Sequence, residues 1–239
     1  MKAVFITGGA KRLGKAMLLE LHSQGYQIIF QYLSSRKEAL DLCQQLNKLR
    51  NNSAHCIQAD LSKSEDIEKV VNFVAKFSNL SLLINNASQF YQKSVQESTE
   101  TDWQKIIDSN LKAPFFLSKG LYDLLNISYG NIINIVDIYG ERPLKMHSIY
   151  SMSKAGLIMQ TKSLAVELGP NIRVNGIAPG AILWPENGVQ SNAQKILNKT
   201  TLKRQGSEQD IVQAMLYLNS ANYVSGQIIQ IDGGRSLYI

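Results

Sequence analysis

The chain lacks most of what would hold a protein together without a large core. It has two cysteines, Cys43 and Cys56, in 239 residues. They are too few for a disulfide framework and match no metal-ligand spacing, which argues against a stapled secreted fold and a structural metal. Proline is scarce, with five in all, and no proline-rich or low-complexity stretch divides the chain. An interdomain linker is therefore not indicated. Charge of one sign is nowhere concentrated: 25 lysines and arginines against 19 acids leave a net +6, without a block of five like charges. That pattern argues against a nucleic-acid partner and leaves a mild attraction for anionic ligands. The segment before Thr7 holds four apolar residues, Ala3 to Ile6, short of a signal peptide's apolar core, and no later run approaches a membrane span. A cytoplasmic protein with no membrane partner is expected.

What is present is a chain with 44% hydrophobic residues, enough for one large core. Short β-rich runs lie near Ala3 to Thr7, Gln27 to Gln31, His55 to Gln58, Leu82 to Asn85, Asn131 to Val136, Ile172 to Ile177 and Gln227 to Ile231. Helical patterns intervene at Lys15 to Ser23, Lys37 to Leu49, Ser64 to Phe77, Trp103 to Leu125, Ile149 to Leu168 and Glu208 to Leu218. This alternation predicts a single α/β domain over residues 1–239, a doubly wound seven-stranded parallel sheet with helices on both faces. The poorly patterned piece from Pro179 to Lys199, near 179–199, is the candidate substrate loop.

The first β-rich run leads into Gly8-Gly9-Ala10-Lys11-Arg12-Leu13-Gly14. Gly8 and Gly14 suit a dinucleotide-binding turn whose backbone N–H groups receive a pyrophosphate. The spacing is not GxGxxG, and Lys11 and Arg12 at a helix start oppose the macrodipole by about 0.3–1 kcal/mol each. A bound anion reverses that sign. After the second strand the chain reads Tyr32-Leu33-Ser34-Ser35-Arg36-Lys37, with no carboxylate to hold a ribose 2′-hydroxyl. Arg12 and the Ser34 to Arg36 turn are therefore expected to converge on a 2′-phosphate.

The segment TGGAKRLG resembles the glycine loop of the short-chain dehydrogenase/reductase family, in the variant where arginine replaces the middle glycine, as in pteridine reductases. The resemblance extends in order along nearly the whole chain and implies a Rossmann fold that binds NADPH/NADP. Asp60-Leu61 is similar to the family's adenine-contacting pair, although Asp60 is equally suited to capping the next helix. Asn85-Asn86-Ala87 resembles its NNAG, with Ser88 in place of glycine. Tyr150 and Lys154, at i and i+4 on one helical face, match its catalytic pair, in which the lysine's charge lowers the tyrosine pKa. Asn110 matches the asparagine that supports a water chain to that lysine. Pro179-Gly180 resembles the turn beside nicotinamide, but Ala181, Ile182 and Leu183 stand where a threonine is usual.

One departure bears on substrate. Thirteen residues before Tyr150, where most family members carry serine, this chain has Asp137. An ionised carboxylate there opposes phenolate formation and fits simple alcohol or ketone chemistry poorly, whereas a protonated or hydrogen-bonding aspartate suits an N–H-rich heterocycle. Pteridine reductases share this change, and Ser88 and Phe90 resemble their pterin-contacting residues. Offset stacking on Phe90 would add about 0.5–1.5 kcal/mol. Trp184 is expected to close the pocket or to anchor its loop. The resemblance thus implies hydride transfer to a C=N bond of a pterin or folate, with Tyr150, Lys154, Asp137 and Asn110 as the catalytic set, no metal, and a homotetramer built through the long helices. The alternatives are an NADPH-dependent carbonyl or 3-oxoacyl thioester reductase, and a catalytically silent nucleotide-binding protein.

Overall fold

The apolar runs form strands β1 (Ala3–Ile6), β2 (Gln27–Tyr32), β3 (Ala54–Gln58), β4 (Leu80–Asn85), β5 (Asn131–Ile135), β6 (Arg173–Pro179) and β7 (Ile228–Ile231). In the computed structural model, which describes residues 1–182 and 193–238, they make one sheet ordered β3-β2-β1-β4-β5-β6-β7. Every neighbouring pair is parallel. The central strands β1, β4 and β5 are buried throughout except for Ser81, because both faces are covered.

Two apolar clusters define the layers. On one face Met17, Leu18 and Leu21 of α1 (Arg12–Ser23), Leu42 and Leu46 of α2 (Arg36–Leu49) and Ile211, Met215 and Leu218 of α9 (Glu208–Ser220) pack together against the sheet. On the other, α3 (Ser64–Val74) contributes Ile67, Val70 and Val74, while α5 (Ala113–Gly120), α6 (Tyr122–Ile127) and α7 (Ser148–Leu168) contribute Leu117, Leu125 and Leu164. The doubly wound architecture follows. Among the described residues, no helix is long and apolar enough to cross a membrane.

Three expected spans are corrected. The helix expected over Trp103 to Leu125 is broken into α4 (Glu100–Ile107), a π-helical turn (Asp108–Lys112), α5 and α6. Pro114 has no N–H to return to the carbonyl of Asn110, so the i+4 register cannot run through this point. The helix from Ser64 ends at Val74, short of Phe77. Within the expected loop, Pro179 closes β6 and α8 (Ala193–Asn198) is helical. Leu183 and Trp184 lie outside the described residues.

Candidate active site

The strand order places β1 beside β4, so successive crossovers leave that pair in opposite directions and open a crevice at the carboxyl ends of the strands. Segments leaving β1, β4, β5 and β6 line one cavity of about 410 Å³ there. It collects Gly8, Arg12, Leu13 and Gly14 from the glycine loop, Asn86, Ala87, Ser88 and Phe90 after β4, and Asp137, Tyr150, Lys154, Pro179 and Gly180. A second cavity of about 200 Å³ shares Gly8, Lys11, Ala87 and Ser88 and reaches Tyr32, Ser34, Ser35, Asp60 and Leu61.

The glycine loop is held open by backbone geometry. Gly8 has φ +64°, and a Cβ on Gly14 would collide with the carbonyl oxygen of Gly8. Arg12 also adopts a left-handed φ, +51°, which costs an L-residue roughly 1–2 kcal/mol. It keeps the backbone form of the glycine it resembles a replacement for. Two residues that sequence reasoning missed build the cradle. Gln31, buried on β2, accepts from Gly8 N–H (2.9 Å) and donates to the Ala59 carbonyl (2.6 Å). Thr7 Oγ1 accepts from the N–H groups of Asn86 and Ala87 (both 2.9 Å), and Asn86 Nδ2 donates back to the Thr7 carbonyl (2.9 Å). A polar residue inside an apolar strand, as Gln31 is, was the available signal.

Arg12 and the serines of the Ser34 to Arg36 turn line adjoining cavities that share Gly8 and Lys11. Lys11 lines both, the second with Ser34 and Ser35, and Arg12 lines the first, with Asp137 and Tyr150. Lys11 pairs with Glu38 on α2 at 2.7 Å. Asp60 does not cap α3, whose N-cap is Lys63. Its Oδ1 accepts from Ser62 N–H (3.1 Å) and Oγ (2.7 Å).

At the other end, the Tyr150 hydroxyl donates to Asp137 Oδ2 at 2.6 Å, and Tyr139 N–H donates to Asp137 Oδ1 at 2.9 Å. Lys154 is buried, donates to the Ile135 carbonyl (2.9 Å) and lies 5.7 Å from the Tyr150 ring centroid. Burial pushes its pKa down to about 8, against the opposing pull of Asp137. Burial also raises the Asp137 carboxyl, opposed by its hydrogen bonds and by Lys154. The expectation that lysine lowers the tyrosine pKa is corrected: burial first, then the charge and hydrogen bond of Asp137, raise Tyr150 well above its ordinary value. The pair is built to retain a proton.

Asn110 sits in the π-helical turn, where its Oδ1 accepts from Gln89 N–H (2.7 Å) and its Nδ2 donates to the Gln89 carbonyl (3.0 Å) and to Ser153 Oγ (3.1 Å). The side chain thereby clamps the loop after β4 to α7. Phe90 is 49% exposed. It stacks on His147 at 4.6 Å between centroids and meets Tyr150 edge-on at 4.8 Å. Among the described residues, no group of three or more His, Cys, Asp or Glu could hold a metal ion.

Comparison with known proteins agrees with this layout. The family model described as short chain dehydrogenase matches residues 2–195. The chain is 30% identical over 240 residues to the 3-oxoacyl-[acyl-carrier-protein] reductase FabG of Staphylococcus epidermidis, covering 98% of each chain. It is 33% identical to the FabG of Buchnera aphidicola, covering 98% of this chain and 96% of that one. Glucose 1-dehydrogenase 2 of Bacillus subtilis is 30% identical, with 99% and 95% covered. Among solved structures, a blue fluorescent protein from a metagenomic library, in complex with NADPH, superposes with a TM-score of 0.91 at 28% identity, covering 98% of this chain and 97% of that one.

Proposed function

The chain belongs to the short-chain dehydrogenase family and is an oxidoreductase of it, and from that premise we propose that it uses NADPH to reduce a C=N bond of a dihydropterin or dihydrofolate. The observation that carries the substrate reading is the carboxylate at Asp137, hydrogen-bonded to Tyr150 at 2.6 Å. The donor set fits a phosphorylated dinucleotide: a loop in which Gly8 and Gly14 leave no room for a side chain, hydroxyls at Ser34 and Ser35, and the cation of Lys11 beside them in the second cavity. When bound, the cofactor supplies a hydride at the nicotinamide carbon.

The chain's own groups do the rest. Asp137 offers an acceptor to a ring N–H and orients the Tyr150 hydroxyl, and the pair delivers the proton that a ring nitrogen takes up as the adjacent carbon is reduced. Lys154 holds positive charge beside that pair. Phe90, half exposed over the cavity, presents an aromatic face to a flat substrate, and Ser88 lines the same wall. Arg12, on this side of the crevice, meets anionic or acceptor groups of cofactor and substrate. Asn110 acts by positioning. A homotetramer is part of the reading, paired through the face on which Trp103, Phe115, Phe116 and Met159 are exposed; light scattering tests it.

A second reading has its own support. The FabG relatives share 30–33% identity over nearly the full length, which favours reduction of a 3-oxoacyl thioester with Asp137 in place of a carbonyl-orienting serine. NADPH oxidation measured with dihydropterin, dihydrofolate and acetoacetyl thioester separates the two. Turnover of a dihydropterin is expected. Thioester turnover without pterin turnover transfers the assignment to the second reading, and silence with both leaves a nucleotide-binding protein.

A further inference from the structure

Behind the reacting pair lies a buried arginine that the reading above does not use. Arg235, in the one-turn helix Arg235–Leu237 after β7, is 7% exposed. Its Nη1 donates to the Ile196 carbonyl in α8 (3.1 Å) and its Nη2 to the Tyr139 hydroxyl (3.1 Å). Among the described residues no carboxylate pairs with it. A buried guanidinium satisfied by neutral acceptors is costly to desolvate, so its geometry, not an ion pair, is what it contributes.

Tyr139 connects that arginine to the site. It stands in the 3-10 turn Ile138–Gly140 directly after Asp137, and its N–H holds Asp137 Oδ1 at 2.9 Å. Oδ2 is thereby left for Tyr150. A second tie runs in parallel: Ser236 Oγ donates to Gln230 Oε1 (2.8 Å), and Gln230 Nε2 donates to Glu141 Oε2 (2.8 Å). The C-terminal turn is itself braced by Asp232, which accepts from Gly234 N–H (2.8 Å) and Ser236 N–H (2.7 Å). Two adjacent residues, Arg235 and Ser236, therefore strap residues 138–141 from outside.

We propose that Arg235 and Tyr139 are positioning residues for the reaction: the buried guanidinium pins the Tyr139 side chain, which locks the turn whose N–H aims the Asp137 carboxylate at Tyr150. This rests on the role given to Asp137 above. The arginine acts by holding and not by its field, since the cation acting on Asp137 is Lys154. Removing the Tyr139 hydroxyl frees the turn to shift, and small displacements of a reacting group are expensive in rate.

The test is steady-state kinetics of the full chain with NADPH and a dihydropterin, alongside NADPH titration and thermal melting. Tyr139→Phe and Arg235→Met are each expected to lower kcat about tenfold, with cofactor affinity and KM nearly unchanged. Because both act through one bond, the double variant should be no worse than the poorer single one. Arg235→Lys should not restore kcat, since an ammonium lacks the fork that reaches two acceptors. In an Asp137→Ser background, Tyr139→Phe should cost nothing further, and the acid limb of the kcat profile should move in Tyr139→Phe alone. Wild-type kcat in Tyr139→Phe and Arg235→Lys overturns the strap while Asp137 stands. An equal loss in the Asp137→Ser background reduces the strap to a structural role. Unchanged kinetics in Asp137→Ser itself removes the reading of Asp137 and the strap with it.

Discussion

Lys11 and Glu38 form an ion pair at 2.7 Å with both side chains nearly half exposed, at 47% and 46%, whereas Asp137, Tyr150 and Lys154 meet where Tyr150 and Lys154 are almost fully buried. Lys11 and the buried group line the same crevice, and both groups hold opposite charges. The first is solvated, so its partners exchange readily, and in the proposed reading a cofactor phosphate displaces Glu38. The second is shielded from water, so each member sets the protonation of the others and no member is removed cheaply. In the proposed reading, ligand affinity is adjusted at the wet end, and chemistry is committed at the dry one.

Breaking the dry end should have the largest effect. Tyr150→Phe is expected to reduce turnover by about 10² or more while leaving NADPH affinity intact, measured by single-turnover kinetics and cofactor titration. Near wild-type turnover would assign the proton to Asp137 or water. The pH profile probes the same cluster more gently. Lys154 has its pKa lowered to about 8, so its charge is present below that pH and lost above it. Turnover should fall on the alkaline side from about pH 8, approaching about tenfold per pH unit, as for one essential ionisation. The limb belongs to the coupled group and not to lysine alone. A flat profile to pH 10 would separate the lysine charge from the chemistry.

The wet end should respond more weakly and only in cofactor binding. Lys11→Ala is expected to weaken NADPH about tenfold, some 1.4 kcal/mol, and to leave NADH unchanged. Equal losses for both cofactors would take the 2′-phosphate away from Lys11. Glu38→Gln removes the ion pair at Lys11 and should tighten NADPH by about two- to fivefold, without changing kcat. The effect should shrink at high salt, because the pair is exposed. If Glu38→Gln weakens binding instead, the carboxylate positions Lys11 and does not compete with the phosphate.

Local pattern carried much of this protein. The seven apolar runs, the alternation with amphipathic segments, the glycine loop and the Tyr150/Lys154 spacing are each written within a few consecutive residues, so the parallel sheet and the crevice at its carboxyl edge were readable without coordinates. Pro114 also marked, in principle, the break in the helix over Trp103 to Leu125, because a missing N–H acts on its own turn. Long-range partners were not readable. Gln31 spans from β2 to the Gly8 N–H and the Ala59 carbonyl, Asn110 closes on Gln89 and Ser153, and Arg235 reaches Tyr139 across 96 positions. The sequence showed that a carboxylate at Asp137 would oppose the phenolate, but not the burial that is the first cause of the rise in the Tyr150 pKa. Periodicity is a local property fixed by backbone geometry, so sequence alone determines which segments become strands and helices and where the loop turns. Desolvation and hydrogen-bond partnership depend on which distant segments the finished sheet brings together, and only the tertiary structure decides them.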